Sequence, residues 1–177
     1  MACSSATLNG INGVCDTSRG GISKVWIIPF DGVTAISTDA DEQVSGVTIA
    51  SGSEFKLFSF RKNTGSMTST LNVDSANGTS YVSTELVLQF TKMEYKKRLE
   101  MNALAVLECA VICKDSNGTY WYLGETEGVS ATAGTGQTGQ QKTDGNYYTI
   151  TLTDESDGYP REVTEECIKT LKLEEIA

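Results

Sequence analysis

The chain has 177 residues, of which 39% are hydrophobic and 21% charged, a composition that fits one globular domain with a sizeable core. Its net charge of −9 argues against a protein that binds nucleic acid tightly, because such proteins neutralise phosphates with Lys and Arg. The chain contains no His, which excludes a Ser-His-Asp triad, a Cys-His pair, a His general base and the commonest zinc sites.

Cysteine content and the first residues indicate a cellular compartment. Five Cys, an odd number, in a chain without the basic start and apolar run of a signal peptide predict reduced thiols in a cytoplasm. No apolar stretch approaches the roughly 18 residues that a membrane helix needs, so we expect no membrane partner.

The first third of the chain predicts an arm followed by strands. Residues 1–21 are small, polar and Gly-rich, which indicates an irregular N-terminal arm. KVWIIPF (24–30) predicts a strand that ends at its proline, which cannot donate to a strand ladder, and DGV then turns the chain. Further strands are predicted at 44–49 and 54–60, with a short one around 68–73.

The clearest strand pattern is YVSTELVLQF (81–90), which alternates between two faces. One face holds Val82, Thr84, Leu86, Leu88 and Phe90. The other face holds Tyr81, Ser83, Glu85, Val87 and Gln89.

One helix is predicted directly after this strand, over about 92–105. Thr91 and Glu94 have the spacing of a capping box, so Thr91→Ala is expected to cost about 1 kcal/mol of stability. The apolar face of the helix is predicted to consist of Tyr95, Leu99, Ala103 and Val106. Because the opposite side is charged, we expect the helix to lie on the surface of the fold, packed on the sheet.

The remaining pattern completes an antiparallel β fold. VLECAVICKD (106–115) predicts a strand, DSNGT turns it back into TYWYLGE, and NYYTITLT (146–153) alternates cleanly. About seven strands without βαβ alternation predict a mainly β antiparallel sandwich or barrel with one flanking amphipathic helix. We assign this domain to 22–163 and treat 164–177, which is ambiguous between strand and helix, as a charged C-terminal extension.

The segment GTGQTGQQKTDG is similar to a phosphate-binding loop. Gly134 and Gly139 have the required spacing, but two Gln precede Lys142 and a strand, not a helix, is predicted to follow. We therefore expect no nucleotide binding.

Two further patterns fail as metal sites. Cys109 and Cys113 share one face of a strand, as small core residues do, and no close Cys-x-x-Cys pair exists. TDESDGYPRE lacks the ligand spacing of a calcium loop. With no catalytic constellation, we expect no enzyme activity and no cofactor.

Several stretches together resemble a known family. The opening CDTSRGGISKVWIIPFDGV, the helix after LVLQF, the hairpin KDSNGTYWYLGETEG and the segment TAGTGQTGQQKTDGNYYTITLTDES are similar to tail-tube and tail-ring proteins of crAss-like and related Bacteroidetes phages. The resemblance covers roughly 15–163.

The resemblance implies a virion structural protein without enzyme activity. It implies a sandwich or barrel with a helix, related to phage major tail proteins and to the type VI secretion tube. Such subunits associate with themselves in hexameric or dodecameric rings, beside other tail or portal-proximal virion proteins, after assembly in the bacterial host cytoplasm. Genomic DNA would cross the acidic lumen of the tail without being bound.

A ring subunit needs segments that reach its neighbours, and Gly, Thr and Gln suit such segments. We expect the arm before residue 20 and the segment 131–145 to have this role. The candidate subunit-interface residues are Asn9, Asn12, Asp16, Arg19, Thr132, Thr135, Gln137, Thr138, Gln140, Gln141 and Lys142.

An alternative is a carbohydrate- or receptor-binding β-sandwich. Its sugar platform would consist of Trp26, Tyr120, Trp121 and Tyr122, although hairpin aromatics more often form core or cross-strand pairs.

Overall fold

The computed structural model of the protein describes residues 10, 11, 13, 17–171 and 173. These residues form strands β1 Ile22–Pro29, β2 Val33–Thr38, β3 Val44–Ile49, β4 Lys56–Phe58, β5 Gly65–Asp74, β6 Thr79–Thr91, β7 Cys109–Asp115, β8 Tyr120–Leu123, β9 Ser130–Gln137, β10 Tyr147–Ser156 and β11 Arg161–Glu162. The helices are α1 Tyr95–Leu104 and α2 Glu165–Leu171. The predicted mainly β, antiparallel fold with a flanking helix is confirmed.

The strands form two large sheets and one small one. The five-stranded sheet has the order β11-β8-β7-β1-β4, the four-stranded sheet the order β5-β6-β10-β9, and β2 pairs with β3. Every ladder between these strands is antiparallel. The chain passes between the two large sheets after β4, β6, β8 and β10. After β8, Val129 exchanges backbone hydrogen bonds of 2.7 and 2.9 Å with Cys109.

The main core lies between the two large sheets. One face of β6 is buried, since Val82, Thr84, Leu86, Leu88 and Phe90 are at most 4% exposed. It packs against residues of the facing sheet and of β10, including Val25, Ile27, Val111, Ile150 and Leu152. Cys109 and Cys113 belong to this core as free thiols, and burial raises the pKa of the Cys109 thiol to about 11.

The predicted cap of α1 is wrong. Thr91 is the last residue of β6 and pairs with Tyr147, so it is part of the strand. Lys92 then turns the chain with a positive φ of 67°, and Glu94 occupies the cap position without a side-chain cap hydrogen bond. The predicted cost of removing a cap from Thr91 therefore has no structural basis.

The predicted buried face of α1 is also wrong. Tyr95, Leu99 and Val106 are 68%, 55% and 82% exposed. The helix instead packs Met101 and Leu104 against the main core. An i, i+4 apolar stripe identified the helix correctly but gave the wrong face, because tertiary packing places Met101 and Leu104 against the core.

Three elements are absent from the sequence prediction. These are β2, β9 and the short β11. The ambiguous C-terminal stretch contains helix α2, which buries Cys167 in a second core on the outer side of the five-stranded sheet. The segment 164–171 therefore packs on the domain.

Asp154 is a buried carboxylate on the inner face of β10. It is 3% exposed, and its Oδ1 has no hydrogen-bond partner among the described residues. Burial raises the pKa of Asp154, and the nearby Glu125 and Glu155 raise it further, although the backbone N–H of Gly124 stabilises the charged form. The charged side chain is therefore unfavourable in the folded state.

We expect Asp154→Asn to flatten the pH dependence of stability. Because the folded pKa of Asp154 is raised, its contribution is fully present below the unfolded pKa and is lost as pH rises through the folded pKa. The variant should therefore lose less stability than wild type as the pH rises from 4 to 8. Urea unfolding across this range measures it, with exposed Asp157→Asn as control. Equal slopes for wild type and Asp154→Asn would contradict the expectation.

Candidate assembly surface

The two large sheets differ in how they are covered. The five-stranded sheet is buried on both faces, because Trp26, Ile28 and Ile112 on its outer side belong to the second core, which also contains residues of β3 and α2. The four-stranded sheet packs only its inner face, through residues such as Leu86 and Leu152. Its outer face contributes no residue to either core in the described part of the chain and has no covering layer there.

This outer face is polar and carries few charges. The strand registers place on it Ser66, Thr68, Thr70, Asn72 and Asp74 of β5, Thr79, Tyr81, Ser83, Glu85, Val87, Gln89 and Thr91 of β6, Tyr147, Thr149, Thr151, Thr153 and Glu155 of β10, and Ala133, Thr135 and Gln137 of β9. Its charges are three carboxylates, Asp74, Glu85 and Glu155, and it has no Lys or Arg. A polyanion near this face meets hydroxyl groups and negative charge, but no cation.

Both edges of the four-stranded sheet are long strands. The edge strand β5 has 10 residues and the edge strand β9 has 8. Within the described residues, β5 is hydrogen-bonded in the sheet only to β6, and β9 only to β10. Exposed edges of this length are templates for pairing with another strand.

The two edges are compatible with each other. Successive strands in the order β5-β6-β10-β9 alternate in direction, so β5 and β9 run in opposite directions. A second copy placed beside the first in the same orientation would therefore bring its β5 antiparallel to β9 of the first. The ladders are staggered, because β9 lies level with residues 85–91 of β6 while β5 lies level with residues 79–88. A closed arrangement of such sheets requires tilted strands.

Three candidate residues lie on the edge strand β9, not in a loop. Thr135 and Gln137 pair with Thr149 and Tyr147. Thr132 lies at an irregularity in the ladder, and its Oγ1 is 2.8 Å from Oγ1 of Thr153. The expectation that 131–145 leaves the sandwich as one long excursion is therefore wrong, since 131–137 is a strand of the sheet. Composition did not predict this strand, because the strand contains Gly, Ala and Thr with almost no large apolar residue.

The other four candidates of this segment lie in the loop between β9 and β10, and all are exposed. They are Thr138, Gln140, Gln141 and Lys142. Asp144 closes the loop by accepting 2.8 Å hydrogen bonds from the backbone N–H groups of Gln140 and Gln141. These two bonds lower the pKa of Asp144. The loop leads into strand β10, as predicted, and not into the helix that a phosphate-binding loop requires.

The arm candidates are only partly described. Asn9, Asn12 and Asp16 lie outside the described residues. The backbone N–H of Arg19 donates a 2.8 Å hydrogen bond to Oδ1 of Asn117, whose side-chain amide donates back to the Arg19 carbonyl at 3.1 Å. The structure thus places Arg19 on the β7–β8 turn of its own chain.

The aromatic residues considered for a sugar platform do not form an exposed surface. Trp26 and Tyr122 are 3% and 2% exposed, and Trp121 packs against the main core. Tyr120 is half-buried, with the ammonium of Lys114 4.9 Å from its ring. Within the described residues, no group of three or more Cys, Asp or Glu could hold a metal ion.

Comparison with protein-family models, with curated proteins and with solved structures finds no match for this chain. None of the helices in the described part of the chain is long and apolar enough to span a membrane.

We expect the β9–β10 loop to be dispensable for folding and to contribute to assembly. Replacing 139–145 by Asn-Gly keeps Asn146, whose Oδ1 accepts a 2.8 Å hydrogen bond from the backbone N–H of Met93. The shortened chain should keep its β circular dichroism and its melting temperature within a few degrees, and should assemble more weakly in sedimentation. Unchanged assembly would show that the interface does not depend on Gln140, Gln141 and Lys142 or on the loop that contains Thr138. A lost β signal would show that the loop is needed for the fold.

Proposed function

We propose that this protein is a structural subunit that associates with itself into a ring around a DNA-conducting lumen, as the tail-tube or tail-ring subunit of a phage does. The observation that carries the proposal is the four-stranded sheet with two free, antiparallel-compatible edges and one uncovered polar face. Copies that share the same orientation are joined edge to edge, β9 to β5. This contact is heterologous, and heterologous contacts produce rings when the rotation closes.

The chemistry of the outer face supports its assignment to the lumen. If the sheets join edge to edge with this face inward, the lumen is lined mainly by the hydroxyl and amide groups of Thr, Ser, Gln and Asn, together with Tyr81, Val87, Ala133 and Tyr147 and the carboxylates Asp74, Glu85 and Glu155. Binding of DNA depends on cations that neutralise phosphates. A lining without Lys or Arg lets DNA pass and does not retain it.

The dimensions of the sheet support a six-membered ring. Each copy contributes four strands. At about 4.8 Å per strand, six copies form a circle roughly 37 Å across between opposite backbones, and twelve copies a circle about twice as wide. The smaller circle leaves room for one DNA duplex once side chains line it, so we favour six copies for a tube.

Proline substitution in the edge strand β5 tests the ring contact. The N–H groups of an edge strand point alternately towards its partner strand and away from the sheet. Thr70 and Leu71 are neighbours, so the N–H group of one donates to β6 and that of the other points away from the sheet. One of the two variants Thr70→Pro and Leu71→Pro therefore removes a hydrogen bond to β6, and the other removes an outward-pointing donor. Both side chains are exposed, so the variant that removes only the outward-pointing donor should keep its fold. That variant should fail to form rings.

The matched controls are Thr70→Val and Leu71→Val, which keep every backbone N–H. Circular dichroism and thermal melting identify the proline variant that remains folded, and analytical ultracentrifugation with negative-stain microscopy measures assembly. Rings formed normally by the folded proline variant would exclude β5 as the joining edge. A wild-type chain that stays monomeric at high concentration would contradict the proposed function itself.

A further inference from the structure

We infer that Leu71 and Val73 of the edge strand β5 insert into a depression beside the edge strand β9 of a neighbouring copy, and that this contact sets the register in which the two edges pair. The inference rests on the proposed function, because it concerns the edge contact between copies. Its basis is a pair of complementary shapes on the two opposite edges of the four-stranded sheet.

The first shape is a pair of apolar side chains on β5. Leu71 and Val73 are 50% and 66% exposed. Leu71 pairs with the buried Val82, and Val73 pairs with Ser80, so both side chains lie on the inner side of the sheet. Neither belongs to the two cores that the described residues form. The core-facing side of this edge strand therefore carries two apolar side chains that the fold of one copy does not bury.

The second shape is a depression of about 400 Å³ between the helix α1 and the edge strand β9. On the helix side it is lined by Met101, which belongs to the main core, so the depression lies on the inner side of the sheet. On the strand side it is lined by residues 131–136. The members of this stretch that pair with the inward-facing residues of β10 are Ala131, Gly134 and Gly136. None of these three has a side chain larger than a methyl group, so they leave space beside the helix.

The open part of the depression lies at Gly134. A Cβ atom on Gly134 would meet only the backbone oxygen of Thr149, at an ordinary contact distance of 3.6 Å. A Cβ atom on Gly136, in contrast, would lie 2.9 Å from the ring of Tyr148. An apolar side chain from another copy therefore finds room opposite Gly134, and the side chains of Leu71 and Val73 have the size and polarity to fill it.

The strand registers restrict how the two edges can pair. In one continuous sheet the inner sides of both copies face the same way, so a copy can be displaced along the strands only by an even number of residues. Without displacement, Gly134 of one copy and Gly65 of the next are level, because both lie level with Leu88 of β6. In that position β5 and β9 overlap only in part, and Leu71 lies outside the overlap.

A displacement of six residues, about 20 Å, fits the two shapes together. It brings Leu71 level with Gly134 and Val73 level with Ala131, so both apolar side chains enter the depression. A displacement of four residues leaves Val73 beyond the start of β9. The six-residue register is therefore the one that buries both side chains, and a tilted, closed sheet requires such a stagger between copies.

An exchange of side-chain size tests this contact in the full chain. Gly134→Leu fills the depression and should raise the concentration needed for ring formation at least about tenfold, because Leu71 of the neighbour then has no room. Leu71→Ala should raise it several-fold. The double variant should assemble nearly as wild type does, because the new leucine on β9 occupies the space that the shortened side chain leaves. The matched control is Thr135→Leu with Asn72→Ala, which changes the outer face of the same two strands and should assemble normally.

Disulfide cross-linking measures the register directly. Cys3 and Cys15 are first replaced by Ser, and the native thiols of the described residues, Cys109, Cys113 and Cys167, are buried. Directly opposite residues of antiparallel strands have Cβ atoms about 4.5–5.5 Å apart, close enough for a disulfide after a small adjustment. Leu71→Cys with Gly134→Cys should therefore give a ladder of covalent oligomers on a denaturing gel after mild oxidation. Leu71→Cys with Ala131→Cys, which matches the four-residue displacement, should cross-link much less.

Analytical ultracentrifugation measures assembly, and circular dichroism with thermal melting confirms that each variant is folded. Rings formed by Gly134→Leu at wild-type concentrations would leave the depression to a different partner. They would overturn the inference while the ring proposal stands. A double variant that assembles no better than Gly134→Leu alone would do the same, and so would stronger cross-linking at Ala131 than at Gly134. A wild-type chain that stays monomeric would refute the ring proposal and this inference together.

Discussion

A β-sheet has two faces and two edges, and the four-stranded sheet of this protein buries only one face. Its inner side carries Leu86, Leu88, Ile150 and Leu152, which are at most 3% exposed and hold the sandwich together. Its outer face has no covering layer, and its two edge strands have no further strand partner, within the described residues. The proposed assembly depends on this asymmetry, because the hydrogen-bonding groups on a free edge are stabilised by another strand.

The charged side chains are distributed unevenly over the molecule, and the net charge does not show this. The net charge of −9 suggests a uniformly acidic surface. The structure instead places the cations Lys96 and Arg98, which have no ion-pair partner among the described residues, on the exposed side of α1, and the carboxylates Glu127 and Asp157 beside the end of β10.

Alternation of apolar and polar residues predicted the strands that have one buried face. Strands β6 and β10 were found in this way, and the face of β6 with Val82, Leu86 and Leu88 is the buried one. Strand β9 was missed because an edge strand is stabilised by pairing with β10, which Gly134 and Gly136 in its sequence do not reveal. Local pattern carries no information about a partner strand that is distant in sequence.

The candidate surface was predictable only in part. Composition pointed to Thr132, Thr135 and Gln137 as exposed polar residues, but it assigned them to a loop, and the structure places them on an edge strand. The prediction for the helix α1 was wrong in the opposite sense, since residues expected to be buried are exposed. The stripe of Tyr95 and Leu99 was assigned inward by its spacing, whereas tertiary packing selected Met101 and Leu104. Spacing defines a face of a helix, and only the surrounding fold decides whether that face is buried.

We propose that the free edges of the four-stranded sheet join copies into one continuous sheet. Electron cryomicroscopy of particles assembled from the purified protein can test this, because it shows backbone positions at the contact. We expect β5 of one copy to lie antiparallel to β9 of the next, about 4.8 Å apart, with Thr149 and Thr151 facing the lumen. Particles in which both edges face solvent, or in which the five-stranded sheet lines the lumen, would contradict it.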